Sequence, residues 1–353
     1  MSVRSDHLGM SSVVRALGLR GRCYDNLLGC CHSSAIKIPE LTALWARSVL
    51  SLFGDRIERV AGRPVLIVDG KKTPKEGKKM PGVKSLHQES ESNSKSNFIM
   101  GHSWQAVSML VRAGETIFAL PLSIRLHEGV VFSNRDKRTI LDKMISLVDE
   151  LRGEIGVTIK VRTIDLLWEP AGQLVRFVLV EHPHRGRWML MCSDLTLDAF
   201  NIIRLYGLRF KIELGFKQAV HTLGAFNYHF WMAGMKRIKR RGGNQYMHRE
   251  TQKYRDDIRR KLHAYDVFMM MGVITQGLMH YLAACHTELV WQNFGSWLRT
   301  IRKGVAPSEL VVKKALQNSL PGFIRICSKE HTLAKFIADR QDPIRAQSWP
   351  HAA

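Results

Sequence analysis

Pro64-Val-Leu-Ile-Val-Asp-Gly70 is the stretch on which the fold turns. Four consecutive branched apolar residues sit between a proline and an Asp-Gly pair. Such a run reads as a short buried strand that stops at a turn. A strand buried on both faces belongs to a sheet covered by helices, which makes the chain an α/β protein.

The neighbours fit that frame. Residues 7–60 alternate apolar and polar at helical period, with Ser33-Ser34 and Pro39 marking a break. After the strand, Lys71 to Asn97 is rich in Lys, Gly, Ser and Asn and reads as an exposed loop. Strands are expected around Phe98–Val111 and Thr116–Ile124, then a helix over Arg138–Leu151. From Val157 the period switches to two, and Leu174–Val180 and Trp188–Cys192 read as further strands. Asp194 and Thr196 are N-cap candidates for a long helix over Leu197–Leu223. A basic segment, Met235–Gly243, precedes an apolar helix near 267–284. Pro307 and Pro321 read as breaks between shorter helices in the tail. The domain reading is a helical region 1–60, a first core half 61–150, a β-rich insertion 151–193, a second core half 194–290 and a helical tail 291–353.

Composition narrows the partners. The chain has 353 residues, 45% apolar and 24% charged, the balance of a folded protein in solution. Lys plus Arg total 53 against 31 Asp plus Glu, a net charge of +22. A polyanion relieves the self-repulsion, and nucleic acid does so with release of counterions. A membrane surface is the weaker alternative, and Val267–Ala284 reads as a core helix rather than a span. The N-terminus lacks a signal-peptide pattern, and the six cysteines (23, 30, 31, 192, 285, 327) show no paired spacing. Both point to reduced thiols in a cytoplasm.

Two motifs can carry chemistry. Asp69 at a strand end either begins a turn with Gly70 or presents a functional carboxylate on rigid backbone. In Tyr206-Gly-Leu-Arg209-Phe-Lys-Ile-Glu213-Leu-Gly-Phe-Lys217 the polar residues 206, 209, 213 and 217 share one helical face. The plain reading is a solvated Arg–Glu–Lys ladder. The sharper one makes Glu213 a metal ligand, with Tyr206, Arg209 and Lys217 gripping phosphates. Leu208, Phe210, Ile212 and Phe216 are then the packing face.

These residues resemble the DDE transposases of bacterial insertion sequences, in the branch with a Tyr-x2-Arg-x3-Glu signature. The likeness runs through VDGKKTPKEGKKMPGVKSLHQESESNSKSNFIMGHSWQ around Asp69, DLT-x9-YGLRFKIELGFK and YHFWM, and spans most of the chain from about Ser11. It implies a ribonuclease-H-like mixed sheet flanked by helices, a β-rich insertion, and helical N- and C-terminal segments. It implies strand cleavage and transfer with Mg²⁺, or Mn²⁺ in its place. Asp69 becomes the first metal-binding carboxylate and Glu213 the last, with Tyr206 and Arg209 on phosphates. Lys217 departs from the pattern, whose lysine falls where Val220 stands here. Double-stranded DNA (terminal inverted repeats and target), a homodimer on DNA and a cytoplasmic, nucleoid-associated location are the implied setting.

The middle carboxylate of that family has no counterpart. Leu151-Arg-Gly-Glu-Ile-Gly-Val157 joins the helix directly to the β-rich segment, as an internal deletion would. Asp136, Asp142 and Asp149 read as solvent-exposed, Asp165 interrupts a strand, and Asp194 is the weak substitute, with helix capping as its simpler role. Two close divalent ions need several carboxylate oxygens, so weak or absent catalysis is expected. Lys71, Lys72, Lys75, Lys78, Lys79 and Lys84 form either a solvated loop or a DNA clamp. Lys236, Arg237, Lys239, Arg240 and Arg241 follow Tyr228-His-Phe230-Trp231, whose rings are either core or a stacking platform. Cys30, Cys31 and His32 lack further ligands for a zinc site. Three readings stay open: an active transposase, a DNA-binding remnant, and a metal-dependent nuclease.

Overall fold

The fold, a computed structural model, describes residues 1–4, 6, 9–88, 96–155, 175–182, 186–192, 194–327 and 331–347. Strands β1 (Leu66–Pro74), β2 (Lys84–His87), β3 (Phe98–Ala113) and β4 (Thr116–Leu126) make the main sheet. β3 is its spine: it pairs antiparallel with β1 on one side and with β2 and β4 on the other. The fold is thus mixed α/β, but the main sheet is antiparallel throughout the described residues rather than mixed.

β1 does not stop at Asp69-Gly70. Its register runs from Leu66 opposite Met109 to Pro74 opposite Gly101. The 16-residue β3 offers ladder partners well past Asp69, and Gly70 keeps a negative or extended φ, so no turn forms there. Lys71 and Lys72 are therefore strand residues, and the expected loop to Asn97 also contains β2. The other edge of β1 has no strand partner among the described residues.

Helices cover both faces. They are α1 (Gly9–Ala16), α2 (Cys23–His32), α3 (Ile38–Phe53), α4 (Ile140–Ile155), α5 (Ala199–Gln218), α6 (Gln252–Cys285), α7 (Thr287–Phe294) and α8 (Glu309–Cys327). On β4, Ile124 lines a small cavity closed by Ile212 and Phe216 of α5 and Gln276 of α6. Its neighbour Arg125 points the other way, bonding Thr42 of α3 at 2.8 Å and Glu150 of α4 at 2.9 Å. Since adjacent strand residues face opposite ways, α5 covers one face and α4 the other, while α3 and α6 pack against each other beside β4. The principal core joins all of these, from Met10 and Trp45 through Val107 and Leu120 to Phe216 and Met270.

α6 extends well before the expected apolar helix, because Thr251 caps it and the basic turns from Gln252 continue into the apolar half. That apolar half is mostly buried inside the fold. The break expected at Ser33-Ser34 and Pro39 falls between α2 and α3, with Pro39 in the first turn of α3, where its fixed φ suits the helix. Pro321 lies within α8, where the helix tolerates one missing N–H. Strands β5 (Arg176–His182) and β6 (Gly186–Cys192) form a separate hairpin. Residues 156–174, with Asp165 and the expected strand at Val157–Val161, lie outside the described residues.

Candidate functional site

The helix bearing Glu213 packs over the strand bearing Asp69, on one face of the sheet. Asp69 is paired across the ladder with Ala106, so both side chains lie on the same face. Ala106 lines the cavity under Ile212, the residue before Glu213. α5 packs on β1 and β4, bringing the Glu213 helix over the strand that bears Asp69. Ile202, Ile212 and Phe216 are its buried side, and Gln276 of α6 donates to the Gly215 carbonyl at 3.0 Å. Glu58, 5% exposed, clamps the helix to the sheet: it accepts from Arg204 of α5 and from Arg112 of β3 at 2.7 Å.

At the far end α5 gives way to a wider turn, Ala219–Leu223, ended by Gly224 at φ 62°. Its last carbonyls accept from two buried cations. Arg4 bonds the Leu223 oxygen and Lys313 bonds the Thr222 oxygen at 2.7 Å. Positive charge there complements the helix dipole.

The polar face of α5 is as expected. Tyr206, Arg209, Glu213 and Lys217 are all exposed, and Arg209 lies 3.7 Å from Glu213. Phe210 is not part of the packing face. It is 56% exposed and belongs, with Phe200, Ile203 and Leu214, to an outward apolar stripe. This stripe lies opposite the buried side because the apolar residues fall on two helical faces. Asp69 accepts a bond from the Gly70 amide at 2.7 Å.

Asp194 is not the cap of α5. Asp198 caps it, accepting from the Asn201 amide at 3.0 Å. Asp194 instead binds the Thr196 amide and hydroxyl and pairs with Arg63 at 2.8 Å. Those bonds pull its pKa down to about 2 and occupy its oxygens. Among the described residues no three His, Cys, Asp or Glu side chains form a group able to hold a metal ion, at Asp69 and Glu213 or at Cys30-Cys31-His32. Two carboxylates alone do not make the oxygen set for a pair of divalent ions.

The basic residues divide by role. Lys75 is not a DNA clamp: it is buried, and its ammonium bonds the carbonyls of Phe226 and Tyr228. Desolvation holds its pKa down at about 8. Lys79 reaches the Ala233 carbonyl, and Lys84 pairs with Glu128 at 3.6 Å. Lys78 is exposed. Backbone bonds from Met232 to Lys79, Ile238 to Lys78 and Ser85 to Gly242 stitch this loop to the 232–242 segment. That segment rests on the start of α6, where Met232 and Met235 pack on Ile258 and the Lys236 amide donates to the Tyr254 hydroxyl at 3.1 Å.

Two clusters far apart in sequence thus form one basic surface beside the start of α6, where Arg259 pairs with Asp256 at 2.8 Å and Arg260 lies 3.8 Å from Asp257. Within this surface Arg237, Lys239, Arg240 and Arg241 are exposed without ion pairs among the described residues. Lys236 is held by Glu250 at 2.6 Å. The aromatic pair splits: Phe230 is core at 1% exposure, whereas Trp231 is 61% exposed beside the basic run.

Comparison with family models, curated proteins and solved structures gives no match to this chain.

Proposed function

We propose that the chain is a DNA-binding remnant of an insertion-sequence DDE transposase, able to grip element ends but poorly equipped to cut them. The observation that carries this reading is the single basic surface made from the loop after β1, residues 232–242 and the first turns of α6. Exposed, unpaired guanidinium and ammonium groups are what a phosphate backbone takes up, and they fix register without reading sequence. Trp231 at its margin offers a ring on which an unpaired base can stack.

The transposase part of the reading rests on the motif resemblance and on topology. β3 between β1 and β4, with helices on both faces, is the arrangement expected of the first half of a ribonuclease-H-like core. Such a core continues with a strand beside β1, and that edge is unpaired among the described residues. The packing of α5 on β1 puts the elements that carry Asp69 and Glu213 against one another, as the first and last acids of the triad require. Mg²⁺ or Mn²⁺, when bound at a full triad, activates the attacking oxygen and stabilises the leaving one. The described residues lack the third acid, which leaves a metal pair short of oxygen ligands between Asp69 and Glu213. Tyr206, Arg209 and Lys217 then serve as phosphate contacts on the α5 face, on DNA held by a homodimer in a bacterial cytoplasm.

Because Asp69 and Glu213 do share one face, a feeble metal-dependent nuclease is the second reading. A labelled terminal-repeat duplex incubated with the chain and Mg²⁺ or Mn²⁺ separates them. The remnant reading expects a shifted duplex and no cleavage above a Glu213→Gln control. Nicking that Glu213→Gln abolishes favours the nuclease, and strand-transfer products on a plasmid restore full transposition.

A further inference from the structure

An open cleft of about 490 Å³ lies between α2, the 232–234 turn and α6, lined by Asp25, His32, Met232, Asp257, Arg260 and Lys261 among others. Its polar groups are well placed and little used. His32 Nδ1 sits 2.9 Å from the Leu28 carbonyl, which can only accept, so the ring proton is on Nδ1. The bare Nε2 then accepts from the Lys261 ammonium at 3.1 Å. This bond aims Lys261 and leaves it two further N–H groups. Lys261 forms no ion pair among the described residues, and burial with Arg260 alongside holds its pKa below the ordinary lysine value. Arg260 has only a loose contact with Asp257, 3.8 Å away. Asp25 makes no hydrogen bond or ion pair among the described residues.

A simple anion would meet the two carboxylates, and a simple cation would meet Lys261 and Arg260. A ligand satisfies both pairs only if one end is anionic and the other presents hydrogen-bond donors. We propose that this cleft binds a single nucleotide with an amino-bearing base, its phosphate on Lys261 and Arg260 and its base donors on Asp25 and Asp257. The volume falls in the range of small-ligand sites. Ionised carboxylates only accept, which favours the adjacent N–H groups of guanine or the amino group of cytosine over uracil, whose single N3–H lies between two carbonyls that a carboxylate repels. The rim residues Met232 and Gly234 lead directly into the basic run at 236–241, so the nucleotide comes either from solution or from a strand end lying on that surface. The site holds whether or not the chain cuts DNA.

Isothermal titration of the full chain with GMP, CMP, UMP and inorganic phosphate tests this. GMP and CMP are expected to bind more tightly than UMP, and phosphate alone most weakly. Lys261→Gln is expected to weaken GMP by roughly tenfold or more, the worth of a charge-assisted hydrogen bond. Asp25→Asn with Asp257→Asn is expected to erase the preference for GMP over UMP. Arg260→Gln, at an exposed position, repeats the Lys261 test should that variant melt early. No saturable GMP binding, unchanged affinity in both cation variants, or phosphate binding as tightly as GMP overturns the proposal. Displacement of GMP by a single-stranded oligonucleotide identifies a strand end as the source, and its failure identifies free nucleotide. Titrating GMP into a variant with Arg237, Lys239, Arg240 and Arg241 changed to Gln keeps the two readings apart. Retained GMP binding there, with duplex binding lost, leaves the cleft standing by itself.

Discussion

Changing Arg237, Lys239, Arg240 and Arg241 together to Gln removes four exposed cations that have no counter-charge among the described residues. If each neutralises one phosphate, log affinity against log salt becomes shallower by about 3.6, at roughly 0.9 per phosphate. A fourfold rise in salt then weakens the parent chain about 150-fold more than the variant, on the same relation. The structure also sets internal controls. Lys236→Gln alone is expected to flatten the slope by clearly less than about 0.9, because Glu250 already holds that ammonium at 2.6 Å. Lys75→Gln is expected to leave the slope untouched, since its charge is spent on the carbonyls of Phe226 and Tyr228. Fluorescence anisotropy on a labelled duplex, titrated at several salt concentrations, gives each slope. A quadruple variant with the parental slope refutes the basic-surface argument. A Lys75 variant that flattens it refutes the assignment of that lysine to the interior.

Glu58→Gln unpins α5 from the sheet while keeping the side-chain shape, and is expected to cost about 2–3 kcal/mol in urea unfolding, the half-exposed arginines tempering the loss. Asp266 has a buried oxygen without a partner, and desolvation raises its pKa from 3.8 to about 6. The folded state therefore holds this proton more tightly than the unfolded chain does. Stability linked to it is fully present below pH 3.8, falls as pH rises to about 6 and stays low above that. Asp266→Asn is expected to stabilise the chain at pH 7.5 by up to about 3 kcal/mol and to remove this part of the pH dependence. Parallel melting curves at pH 5 and 7.5 that differ equally in both proteins would contradict that. Gly277→Ala drives a methyl to 2.2 Å from the Trp45 ring, so it is expected to destabilise by about 1–3 kcal/mol despite better helix propensity. An unchanged or raised melting temperature rules out the close α3–α6 approach.

Elements with strong periodicity are legible in the sequence. β3 and β4 follow from runs of apolar residues buried on both faces, and the α5 polar face from helical spacing. Boundaries set by pairing are not. Nothing local in Asp69-Gly70-Lys71-Lys72 says that a ladder continues, since the partner residues lie some thirty positions later on β3. Lys75 is likewise illegible: one lysine among several turns inward only because the carbonyls at 226 and 228 are brought to it. Phe210 reads as core by type and is outside by angle. The opposite error arises at Asp194 and Asp198, two capping residues four apart, between which only the actual start of the helix decides. The nucleotide cleft draws on α2, the 232–234 turn and α6, three segments whose meeting no spacing announces.

The edge of β1 that has no strand partner among the described residues also bears on how the protein behaves in a crowded solution. A row of free amides and carbonyls is a template on which a second chain can add a strand, the first step towards aggregation. Lys71 stands on that strand, and two such edges brought together would align like charges. Lys71 thus acts as a guard against self-association. High salt, which screens that repulsion, is the condition under which the chain is expected to precipitate first.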